Sequence, residues 1–65
     1  MKYLTIMNIS GEILWVYRTA GSRAKAERLA RIAVAKEKGL IPSPWAIKPS
    51  DIHTQEVLQT EPAHV

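Results

Sequence analysis

The side chains equipped for chemistry in this chain are few: His53 and Glu56 three residues apart, His64, the hydroxyls of Ser22, Ser43 and Ser50, and a run of cations between residues 23 and 38. At that spacing His53 and Glu56 would share one face of a helix. Two ligands without a third do not make a metal site, and the chain has no cysteine to complete one. Both read as surface residues, and His64, the penultimate residue, reads as solvated. The serines stand in no pattern with His and Asp that would activate a nucleophile, and there is no glycine-rich phosphate loop. Ser43 precedes Pro44 in a dipeptide that kinases can modify, but it reads as part of a stiff connector. No catalytic residue, no cofactor and no metal site is expected.

The cations are the more specific feature. Residues 22–39, SRAKAERLARIAVAKEKG, carry six of the nine Lys and Arg against two acids. At 100° per residue, Ala26, Leu29, Ala30, Ile32, Ala33 and Val34 share an arc, and Ala24, Arg28, Arg31, Ala35 and Lys38 fall opposite them. Small residues on the inner arc let a helix approach a sheet, with Leu29 and Ile32 expected to supply most of the packing. On the outer arc, Arg28, Arg31 and Lys38 interleave with alanines at one-turn intervals, and Arg23 and Lys25 lie near the start. That layout suits phosphates or carboxylates. Glu27 is spaced to pair with Arg23 and Arg31, as on an ordinary solvated helix, and the helix carries no Asn or Gln to read adenine edges. Three readings stand: soluble surface, an acidic protein partner, and nucleic acid.

The elements that must position these residues follow from local pattern. Residues 2–9 and 12–18 are rich in Ile, Leu, Val, Tyr and Trp and flank Ser10-Gly11, a hairpin signal because glycine takes the positive φ of tight turns. A two-residue loop sets Ile6 opposite Trp15 and Leu4 opposite Tyr17. Tyr3, Thr5, Met7, Leu14 and Val16 then share the other face, which is expected to be the one left open. Trp15 reads as core rather than as a stacking platform. Ser22 is an N-cap and Gly39 a helix stop. Pro42 and Pro44 stiffen the next segment, residues 45–48 are expected to form the third strand, and Trp45 there either closes the core or stands exposed as an anchor. Ser50 and Asp51 start a turn or short helix reaching Leu58. The fold expected is α+β, a small antiparallel sheet of hairpin plus third strand with one helix packed on one face, in the order ββαβ. Residues 1–58 form a single small domain and residues 59–65 a disordered tail.

Composition narrows the class. With 46% hydrophobic and 23% charged residues the chain should fold, but a core of this size yields only about 3 to 5 kcal/mol. A partner, or a second copy, would add buried area. All nine cations lie in residues 1–48 with three of the six acids, leaving an acidic tail. The absence of cysteine fits a reducing, cytoplasmic setting. Asn8, Ser10, Gly11 and Glu12 interrupt the apolar start before it could serve as a signal sequence, and no window is long enough to span a membrane.

A hairpin, an alanine-rich helix entered from Tyr17, Arg18 and Thr19, a short proline-containing turn and a closing strand resembles the small phage-encoded inhibitors of host RNA polymerase. The resemblance is one of layout over residues 2 to about 52, and it implies a non-enzymatic protein that docks on a larger machine such as the polymerase. That family's helix is acidic and its closing strand carries arginines, whereas this helix is basic, so no functional residue is carried over. The expectation is therefore a non-catalytic module that regulates or inhibits a larger, acidic protein, plausible for a phage or prophage product. Arg23, Lys25, Arg28, Arg31 and Lys38 would steer it, and Tyr3, Met7 and Trp45 would anchor it. The alternatives are a DNA- or RNA-binding protein using the same cations, and a homo-oligomeric structural protein.

Overall fold

Ser10 and Gly11 take φ of 53° and 87°, the two left-handed residues that a type I′ turn requires, and the Asn8 side-chain oxygen accepts the Gly11 N–H at 2.9 Å. This turn joins β1 (Lys2–Ile9) to β2 (Glu12–Thr19). Its length sets the register, with Ile6 opposite Trp15 and Leu4 opposite Tyr17, as the two-residue loop predicts. The computed structural model describes residues 1–58; the expected disordered tail, 59–65, lies outside the described residues.

Helix α1 (Arg23–Glu37) opens at Ser22, whose hydroxyl accepts the Lys25 N–H at 3.2 Å. It closes at Gly39, with φ of 75°. There the Gly39 N–H reaches the Lys36 carbonyl at 3.1 Å and the Leu40 N–H reaches that of Ala35 at 2.8 Å, the paired bonds of a Schellman stop. The helix lies on one face of a three-stranded antiparallel sheet of order β2-β1-β3, giving the element order ββαβ of an α+β fold.

The third strand is not residues 45–48. It is β3 (Asp51–Glu56), paired antiparallel with β1, so that Met7 faces Ile52 and Thr5 faces Thr54. The segment read as a turn or short helix is extended instead. Nothing in its own composition asks for a strand; the unpaired edge of β1 does. Pro42, Pro44 and Pro49 keep residues 40–50 out of the ladder. Ile47 from this connector turns inward, is buried, and completes a cluster with Met7, Ala30, Val34 and Ala35.

Two further expectations are corrected. The helix covers the Tyr3, Thr5, Met7, Leu14 and Val16 face, and leaves the Leu4, Ile6, Trp15 and Tyr17 face open. The cause is size. Ala26 and Ala30 bring the axis close, which residues such as Met7, Leu14 and Val16 accommodate and an indole would prevent. Within α1, the fully buried positions are Ala26, Ala30, Val34 and Ala35, not Leu29 and Ile32, which are half-buried. Ala35, assigned to the outer arc, is buried in the same cluster as Ile47.

Candidate interaction surface

Alternation along β1 and β2 places Leu4, Ile6, Ile13, Trp15 and Tyr17 on the face away from the helix. Leu4 is still buried there, because the central strand is flanked by Tyr17 on one side and Gln55 on the other. The others form an apolar surface: Trp15 is 63% exposed, Ile13 54% and Tyr17 49%. Lys2 sits 5.6 Å from the Tyr17 ring centroid and adds a cation to one corner. His53 and Gln55 border the surface from β3, joined by a 3.2 Å hydrogen bond. Contiguous exposed aromatics on a small protein mark contact surfaces more often than they arise by chance.

The proposed anchors divide. Tyr3 and Met7 are buried beneath the helix, at 7% and 1% exposure, and cannot anchor a partner. Trp15, read as core, is instead exposed on the open face. Trp45 is 75% exposed in the connector, so it does not close the core.

The cations also divide. Arg23, Lys25 and Arg28 are exposed on α1. Arg31 is half-buried, its guanidinium donating to the Pro44 carbonyl at 3.4 Å and lying 3.5 Å from Glu27. It holds the connector against the helix. Lys38 lies 3.5 Å from Glu12 across the groove between α1 and β2. That groove, about 350 Å³ and open to solvent, is lined by Leu14, Val16 and Ala33 with Glu12, Arg18 and Glu37 at its rims.

The catalytic candidates have structural occupations. Ser22 caps α1, the Ser43 hydroxyl accepts the Trp45 N–H at 3.2 Å, and the Ser50 hydroxyl donates to the Asn8 carbonyl at 3.3 Å. His53 and Glu56 lie on a strand, where a spacing of three sends them to opposite faces. Among the described residues no three potential metal ligands lie together, and no helix is long and apolar enough to cross a membrane. No protein-family model, curated protein or solved structure matches the chain.

Proposed function

We propose that this chain is a non-catalytic, cytoplasmic binding module that docks on a larger protein and regulates or inhibits it. The observation that carries this reading is the exposure of Trp15 on an open sheet face it shares with Ile13 and Tyr17. An aromatic of that size held out of a small core forfeits burial that the fold could use, and a partner would restore it. The exposed Arg23, Lys25 and Arg28 steer the approach to an acidic partner, since peripheral charges act more on encounter rate than on affinity. The element order shared with phage inhibitors makes host RNA polymerase the first partner to test.

The layout also bears on the nucleic-acid alternative. A single strand binds best where stacking aromatics and cations share one surface. Here Trp15 and Tyr17 share their face with one cation, Lys2, whereas the helix with Arg23, Lys25 and Arg28 covers the other side of the sheet.

The test is binding of the intact protein to purified bacterial RNA polymerase, comparing wild type with Trp15→Ser/Tyr17→Ser and with Arg23→Glu/Arg28→Glu. The reading expects the aromatic pair to abolish binding and the charge pair to slow association. Parallel titration of duplex DNA and single-stranded RNA at several salt concentrations tests the alternative. Micromolar binding with a log-log salt slope of about −3 or steeper would replace the protein-docking reading with a phosphate-binding one.

A further inference from the structure

The outer edge of β2 is built to pair with itself. The Ala20 N–H bonds to the Met1 carbonyl at 2.9 Å and the Met1 amino group returns to the Ala20 carbonyl at 3.2 Å. Antiparallel pairs alternate between bonded and non-bonded. Counting inward from Met1 and Ala20, the residues of β2 that bond to β1 are Arg18, Val16, Leu14 and Glu12. The backbone groups of Ile13, Trp15, Tyr17 and Thr19 therefore point away from the sheet. Two bonds from the other side of β1 agree with this parity: Ser50 N–H to the Asn8 carbonyl and Val57 N–H to the Lys2 carbonyl, each 2.8 Å.

This edge has little of the usual protection. Strand edges that must stay single are short, charged, bulged or interrupted by proline. β3, the other edge, is a six-residue strand reading DIHTQE. β2 is an eight-residue strand reading EILWVYRT, without proline or glycine and with its only charges at the two ends.

The geometry points to a symmetric dimer in which β2 pairs antiparallel with β2 of a second copy, with Trp15 opposite its own equivalent on the two-fold axis. Parity allows slips only in steps that keep the outward residues bonded to one another. Of these registers, the one centred on Trp15 sets Glu12 opposite Arg18 of the second copy at both ends of the seam. It also sets Ile13 opposite Tyr17 and Leu14 opposite Val16. Glu12 with Arg18 and Leu14 with Val16 fall at the non-bonded positions, where side chains approach most closely. A shift either way sets Glu12 opposite Val16 or Ala20, so that Arg18 has no acid across the seam and Glu12 keeps only Lys38 of its own chain. Parallel pairing would lose the match altogether.

Arg18 already marks the vacancy at this edge. Its guanidinium bends back to the outward Tyr17 carbonyl at 3.0 Å. On pairing, that carbonyl accepts the Ile13 N–H of the second copy and releases Arg18 to meet Glu12 across the seam. The product is one continuous sheet of twice three strands, with both helices on one side and the aromatic faces merged on the other. The pairing is argued from the strand edge and its charges, not from the exposure that carries the docking reading, although it also brings the two Trp15 side chains together on the open face.

Sedimentation equilibrium of the intact protein at low salt, from micromolar to millimolar, tests the proposal. A monomer–dimer equilibrium is expected. Glu12→Arg and Arg18→Glu, each placing like charges opposite one another, should weaken it by about tenfold, and the double exchange Glu12→Arg/Arg18→Glu should restore it. Neither residue lies on the open face, so these variants leave the aromatic contact surface intact, and the double exchange also leaves the net charge unchanged. Ile13→Pro removes an N–H that the monomer does not use; circular dichroism should report an intact fold, and sedimentation a monomer. A chain that stays monomeric throughout overturns the proposal. So does a dimer whose affinity ignores the single exchanges, or one that the double exchange fails to restore.

Discussion

The hydroxyls of Thr5 and Thr54 are 2.9 Å apart in the interior of the sheet, where both residues are almost fully buried, at 1% and 5% exposure. They face each other across β1 and β3, forty-nine residues apart in the chain. A hydroxyl in that position is costly unless its partner is present, so the pair ties the polar β3 to one register.

This pair gives the sharpest stability prediction. Thr5→Val or Thr54→Val alone leaves one buried hydroxyl without a partner and should cost about 1 to 3 kcal/mol, whereas the double variant should fall much closer to wild type. Urea unfolding of the four species, read as a double-mutant cycle, measures the coupling. Simple additivity would mean that the hydrogen bond does not hold the register.

The connector makes opposite demands on two neighbouring residues. Ile47 is 4% exposed within the core cluster and Trp45 is 75% exposed. Ile47→Ala should cost about 2 to 5 kcal/mol. In a core expected to supply only about 3 to 5 kcal/mol, that change brings the protein to the edge of unfolding at room temperature. Trp45→Ala should leave the melting temperature nearly unchanged.

Backbone conformation supplies a third test. Ser10 has φ of 53° at the first central position of the hairpin turn, where asparagine is preferred, so Ser10→Asn should raise the melting temperature. Gly39 has φ of 75° and no atom near a would-be Cβ. Gly39→Ala should therefore destabilise by about 1 to 2 kcal/mol through backbone strain alone.

Fluorescence offers a fourth. Trp15 and Trp45 are 63% and 75% exposed. Both indoles should be quenched by acrylamide in the native monomer, and denaturation should shift the emission little. Under dimerising concentrations the Trp15 contribution alone should become protected, which Trp45→Phe isolates.

Those tests divide along the line between local and long-range information. The hairpin register, the Ser22 cap and the Gly39 stop were legible because each depends on residues within a few positions of one another. The missed strand was not. DIHTQE has little strand character of its own and is extended because β1 has an unpaired edge that it fills. The candidate site shows the same division: the cations on α1 follow from helical periodicity, but Arg31 turned out to hold Pro44, and Lys38 to lie against Glu12, through contacts between distant segments.

By itself the sequence determined the order of elements, the two strands that pair through the turn, and the sorting of Tyr3, Thr5, Met7, Leu14 and Val16 from Leu4, Ile6, Trp15 and Tyr17. Only the tertiary structure decided which set is buried. Both faces are apolar enough to receive a helix, so alternation cannot choose between them. The choice lies in the close approach of Ala26 and Ala30, which the first set permits and Trp15 would block. That packing step put Trp15 on the surface and removed Tyr3 and Met7 from it.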